Sequence, residues 1–220
     1  MKTLLGILAA PRESLESLRA RPVWRTALLA TTLGFFVLLW LGGCWRDFSQ
    51  AFRLSSLLGP ALVSPIALGL VSLGTTTLVY LIYKIARGAD HEAVPFRTLY
   101  AVNIHCGVIF FLGEIVNFLL MRLPWQAAYA TPLRNRFPVG LDLLLLGAEN
   151  PNVYLSIGLH ATSIFVFWYL WVLSLGIRVV CGFSTKQSVV IIILLWCAMV
   201  AFALATAYVA GGNTTVRIRI

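Results

Sequence analysis

Five apolar runs punctuate the chain, at residues 26–43, 61–83, 98–122, 153–180 and 188–210, separated by polar or proline-bearing stretches. A helix needs about 20 apolar residues to cross a hydrocarbon core of about 30 Å, so each run predicts one membrane span. Residues 1–22 carry a different pattern. Leu4, Leu8, Leu15 and Leu18 share one helical face, with Arg12, Glu13, Glu16 and Arg19 around the other. That predicts a short amphipathic helix on the membrane surface, with Arg12, Leu15, Leu18 and Arg19 as its headgroup-facing and apolar residues. Pro11 suits its first turn and Pro22 its end. The expected fold is all-α: a polytopic bundle of five transmembrane helices with this N-terminal helix, forming one integral membrane domain over residues 1–220.

The third run departs from plain hydrophobicity. Asn103, Gly107, Phe110, Glu114 and Asn117 follow one another at steps of four, three, four and three, so they form one helical stripe. A carboxylate at helix-centre depth costs about 2.5–3.5 kcal/mol on insertion scales, so this stripe must face protein or water. The fourth run carries a second stripe, Ser156, His160, Ser163, Phe167, Leu170 and Ser174. Antiparallel packing of spans three and four puts Glu114 and His160 at matching depth, which predicts a hydrogen bond or ion pair between them. Asn103, Glu114, Asn117, His160 and Ser163 thus form the expected intramembrane polar seam. Ser72, Thr75 and Thr76 in the second run read as helix-packing residues bonded back to their own backbone. His105 reads as a satisfied packing histidine. Leu141–Leu146, within the long connection between spans three and four, is too short to span and reads as an interfacial segment.

Composition narrows the possible chemistry. The chain is 60% hydrophobic and 11% charged, with a formal net charge of +9. Its basic residues flank the apolar runs, as expected for topology signals and anionic headgroups rather than nucleic acid. Ten Lys and Arg (positions 2, 12, 19, 21, 25, 84, 87, 97, 178 and 186) fall on one side of a five-span topology and seven (46, 53, 122, 134, 136, 217 and 219) on the other. The imbalance predicts a cytoplasmic N-terminus and an external C-terminus. Cys44, Cys106, Cys181 and Cys197 fit neither a disulfide framework nor a zinc spacing; Cys44 follows Gly42-Gly43 at a helix end rather than a signal-peptide cleavage site, and the others read as small core residues. No nucleophile elbow, H-E-x-x-H, Walker or dinucleotide pattern occurs. The expectation is no enzyme, no metal and no cofactor. A polar path lined by Asn103, Glu114, Asn117 and His160 leaves a small secondary transporter or channel as the alternative to a structural role.

Three groups of residues resemble the Yip1 domain family in its short prokaryotic form. They are Pro11-x3-Leu15-x2-Leu18-x3-Pro22-x-Trp24, Leu81-Ile82-Tyr83-Lys84-Ile85-Ala86-Arg87-Gly88 followed by Phe96, and Ile164-Phe165 through Trp168-Tyr169-Leu170 to Gly176 and Gly182-Phe183-Ser184. The resemblance implies a non-enzymatic integral membrane protein acting as a scaffold or accessory in membrane organisation, trafficking or export, with the lipid bilayer as its first partner. Prokaryotic relatives include some linked with ABC-type export systems, which implies such a membrane-protein partner in a prokaryotic cytoplasmic membrane. Eukaryotic relatives bind lipid-modified Rab-type GTPases through a longer cytosolic N-terminal region than the one expected here, so the resemblance carries no GTPase partner across.

Overall fold

The computed structural model describes residues 2–46, 54–87, 94–120, 140–141, 144 and 153–211. All regular structure among these residues is helical: α1 (Lys2–Ala9), α2 (Pro11–Ala20), α3 (Arg25–Arg46), α4 (Leu54–Arg87), α5 (Phe96–Cys106), α6 (Val108–Leu120), α7 (Val153–His160), α8 (Ile164–Cys181) and α9 (Thr185–Gly211). Gly69–Ala86, Phe96–Asn117, Ile164–Cys181 and Thr185–Ala205 are long and apolar enough to cross a bilayer. The 22-residue α3 adds a fifth apolar helix. The protein is therefore membrane-embedded, and the spans fall close to the apolar runs of the sequence.

Two of those spans are broken. Span three divides at Gly107 into α5 and α6, while the backbone stays in the right-handed helical region. In span four, α7 ends at His160 and α8 begins at Ile164, with Ser163 extended at φ −66°, ψ 151°. Ser163 Oγ caps α8 by accepting from the Val166 N–H at 3.3 Å. The Thr162 hydroxyl bonds back to the Leu159 carbonyl. Two adjacent hydroxyl side chains that compete for backbone partners give the chain an alternative to continuous helix. The interruption corrects the expected fourth stripe. Ser156 and His160 fall on α7, Ser163 in the turn, and Phe167, Leu170 and Ser174 on α8, so the six do not lie along one continuous helix.

The core forms around α5, on which Thr98 to Cys106, with the exception of Tyr100, are buried on every side. It packs against α3, α4, α8 and the N-terminal hairpin. That hairpin is the second departure from expectation. Pro11 starts α2 and Arg21, held extended before Pro22, ends it. The apolar face, however, is buried in protein. Ile7, Leu15 and Leu18 are 0%, 0% and 1% exposed within the main cluster, and the Arg19 guanidinium donates to the Val179 carbonyl at 3.1 Å. Arg12 stays outside, paired with Glu16 at 3.2 Å.

Between α8 and α9 the chain reverses within three residues. Gly182, at φ 65°, supplies the left-handed cap of α8, and its N–H reaches the Arg178 carbonyl. Ser184 and Gln187 then form a reciprocal capping box. The Ser184 N–H donates to Gln187 Oε1 at 3.0 Å, and the Gln187 N–H donates to Ser184 Oγ at 3.3 Å. Replacing Ser184 with alanine is expected to lower stability by about 1 kcal/mol, read as a lower thermal midpoint in detergent. An unchanged midpoint would show that packing alone holds this turn.

Candidate functional site: a divided intramembrane polar seam

The described residues of the expected seam, Asn103, Glu114, Asn117 and Ser163, fall in two separate clusters. The first centres on Asn103, which is 3% exposed. Its side-chain amide donates to the Ser72 carbonyl at 2.9 Å and to Thr76 Oγ1 at 3.1 Å, and it also reaches Thr75 Oγ1. The threonine hydroxyls spend their own protons on their helix. Thr76 donates to the Ser72 carbonyl at 2.6 Å, and Thr75 to the Val71 carbonyl at 3.0 Å. Their lone pairs are thereby left to accept from Asn103. On the other side of the amide, the Tyr169 hydroxyl donates to Asn103 Oδ1 at 2.7 Å. The orientation follows from chemistry: the Ser72 carbonyl can only accept, so the NH2 end must face it. One side chain thus joins α4, α5 and α8. The back-bonding read for Thr75 and Thr76 holds, with the addition that these hydroxyls and the Ser72 carbonyl form one wall of an interhelical network.

Tyr169 is the member that sequence reasoning missed. A phenol in the middle of an apolar run needs a hydrogen-bond partner when buried, and that requirement was the available signal. Its ring also lies against Phe110, with centroids 4.5 Å apart. His105, 2% exposed, sits apart from this network with Nδ1 2.8 Å from the Ala101 carbonyl of its own helix. That is the satisfied packing histidine expected.

The second cluster lies at the break in span four. Glu114, Asn117 and Ser163, together with Phe110, Phe165 and Trp196, line a cavity of about 210 Å³ between α6, α8 and α9. The three polar residues reach this space for different reasons. Glu114 and Asn117 follow Phe110 along the inward stripe of α6, whereas Ser163 arrives because the helix is interrupted there. Ala161 shares the lining, and its carbonyl, released by the interruption, accepts from the Trp196 indole N–H at 3.0 Å. Gly140 lies against the same turn. A Cβ there would stand 2.9 Å from the Ser163 backbone, so only glycine allows this approach. The next residue's N–H donates to Thr162 Oγ1 at 3.2 Å. The expected interfacial segment at Leu141–Leu146 therefore begins against the helix break.

His160 ends α7 just before this turn, but its side chain lies outside the described residues, as does the expected bond to Glu114. Among the described residues no three His, Cys, Asp or Glu side chains come together as a metal site. Cys106 and Cys181 are buried thiols, whereas Cys197 is exposed, which corrects the reading of Cys197 as a core residue. Cys44 falls within α3, and its side chain lies outside the described residues.

The three stretches that resemble a known family meet in space. Leu15 of α2 stands against Gly176 of α8. Tyr83 of α4 packs edge-on to Phe183 at 5.8 Å, and Tyr80 edge-on to Phe96 at 5.6 Å. No curated protein and no solved structure matches the chain. The family model described as the Yip1 domain matches residues 5–207, nearly the whole chain, and the protein therefore belongs to the Yip1 domain family.

Proposed function

We propose that this protein is a non-enzymatic scaffold or accessory protein of a prokaryotic cytoplasmic membrane, acting in membrane organisation, trafficking or export. The observation that carries this reading is the closure of the Asn103 network. Its amide, the Thr75 and Thr76 hydroxyls and the Tyr169 phenol bond to one another and to helix backbone. Polar groups used in this way fix helix register, since their hydrogen bonds are spent within the bundle. Eight of the Lys and Arg residues with described side chains (12, 19, 21, 25, 84, 97, 178 and 186) belong to the end of the bundle that carries the N-terminal hairpin. That end is assigned to the cytoplasm, and the C-terminus to the outside. The partner favoured by this reading is another integral membrane protein, such as an ABC-type export system. Purification from its own membrane in mild detergent tests it: a stoichiometric membrane-protein partner is expected, and an isolated chain with measurable solute flux in liposomes would overturn it.

The cavity at the span-four break favours a second reading, a small secondary transporter or channel. Interrupted helices around a cavity within the membrane are a recurring form of substrate site, and Glu114 with Asn117 supplies polar groups to an otherwise mostly apolar lining here. Glu114→Gln separates the two. Under the scaffold reading it changes thermal stability and nothing else. Loss of a proton-coupled flux in liposomes, with the fold intact in detergent, would instead establish the transporter.

A further inference from the structure

We propose that the cytoplasmic end of α3, α4 and α5 is a binding site for one anionic phospholipid. Four half-buried rings run across these helices. Trp24, immediately before α3, meets Tyr100 edge-on at 5.5 Å; Tyr100 stacks on Phe96 at 6.4 Å; Phe96 meets Tyr80 edge-on at 5.6 Å. A cation stands over each end of this ladder. The Arg25 guanidinium lies 5.7 Å from the centre of the Trp24 ring, and the Lys84 ammonium 5.7 Å from that of Tyr80. Arg97, also exposed, directly follows the ladder residue Phe96 on α5.

Each helix thus contributes one exposed cation beside the ladder, and α3, α4 and α5 pack pairwise against one another. None of the three contains an acidic residue; the connection from α4 to α5 carries Asp90 and Glu92, outside the described residues, against the four basic residues Arg25, Lys84, Arg87 and Arg97, so the balance at this end is positive. Charge complementarity therefore selects an anion. The ring ladder adds an amphipathic requirement, because Trp and Tyr faces favour the glycerol and upper acyl region at the membrane boundary. A phosphatidylglycerol-type headgroup meets both conditions. A zwitterionic choline lipid brings a cation of its own, which Arg25, Lys84 and Arg97 disfavour. Holding Arg25 and Lys84 over rings also reduces the side-chain entropy that a flexible surface cation would lose on binding. The site differs from an ordinary interfacial belt in joining three helices through one continuous set of contacts.

Native mass spectrometry of the full chain, with phosphatidylglycerol and phosphatidylcholine added in equal amounts, tests the assignment. Retention of one phosphatidylglycerol in preference to phosphatidylcholine is expected. The double variant Arg25→Gln, Lys84→Gln should lose about fivefold in that preference per cation removed. Arg21→Gln, exposed and off the ladder, should leave the preference unchanged. Equal retention of the two lipids, or a double variant that keeps the preference, would overturn the site. An equal loss in Arg21→Gln would reduce the effect to bulk charge and overturn it as well. Excess inorganic phosphate should leave the lipid bound; displacement by phosphate would make a bare anion the ligand. Tyr80→Leu keeps both cations and removes one ring of the ladder. It should weaken phosphatidylglycerol retention, and unchanged retention there would overturn the role given to the rings.

Discussion

Asn103→Leu is expected to lower unfolding stability by about 2–3 kcal/mol, the loss associated with leaving a buried hydrogen-bonding group without its partner. The substitution removes the donor to Ser72, Thr75 and Thr76 and the acceptor for Tyr169 in a single step. The threonines lose least, since both still donate to their own helix. Tyr169, at 3% exposure, has the larger deficit, because its hydroxyl loses the acceptor it was given. Individual interhelical hydrogen bonds in membranes average about 0.6 kcal/mol and reach about 1.7. Tyr169→Phe alone should therefore cost about 0.5–1.7 kcal/mol. Combining the two changes should cost clearly less than their sum, because a phenyl ring in place of the phenol needs no acceptor. Reversible unfolding in mixed micelles measures all three variants. Strict additivity would show that Asn103 and Tyr169 act independently, and the three-helix network would lose its basis.

This network also marks the limit of what the sequence discloses. The apolar runs, the inward stripe from Asn103 to Asn117 and the packing role of Ser72, Thr75 and Thr76 all follow from periodicity and hydrophobic length. The division of the seam does not, because a helical stripe says which residues share a face and not which neighbour each one meets. Asn103 turns to α4 and α8, while Glu114 and Asn117, more than two turns further on, reach the cavity beside α9. The break in span four had a readable signal. A continuous helix over residues 153–180 would be about 42 Å long at 1.5 Å per residue, well beyond the hydrocarbon thickness of about 30 Å. Thr162-Ser163 before an apolar run is moreover an N-cap pattern. The N-terminal hairpin was ambiguous for a deeper reason. An amphipathic face is written the same way whether it is covered by lipid or by protein, and Leu15 and Leu18 turn out to be covered by α8 and its neighbours.

Gly176 shows what that protein contact depends on. A Cβ at this position would lie 2.5 Å from Val102 Cγ1 and 3.2 Å from Leu15 Cδ2, so the close meeting of α2, α5 and α8 requires glycine. Val102 and Leu15 are both fully buried, at 0% exposure, so neither can swing out of the core to make room. Gly176→Ala should therefore cost about 1–3 kcal/mol by overpacking. Leucine at the same position demands more room than Leu15 can yield and should force the hairpin off α8. Trypsin reads that event directly, since Arg12 and Arg19 lie on the hairpin and Arg19 is held against the Val179 carbonyl. Cleavage at these arginines should rise at least tenfold in Gly176→Leu, the change expected when docking weakens by about 1.4 kcal/mol and cleavage tracks the open population. Val102→Ala removes the nearer of the two obstructing atoms. The pair Gly176→Ala, Val102→Ala should then be more stable than the sum of the single changes predicts, by an interaction of about 0.5–3 kcal/mol. If the pair is simply additive, and trypsin treats Gly176→Leu like the parent chain, the hairpin is not held through this glycine. The apolar face of α2 would then have to be stabilised elsewhere, and the membrane surface, which its amphipathic pattern also fits, would regain its claim on Leu15 and Leu18.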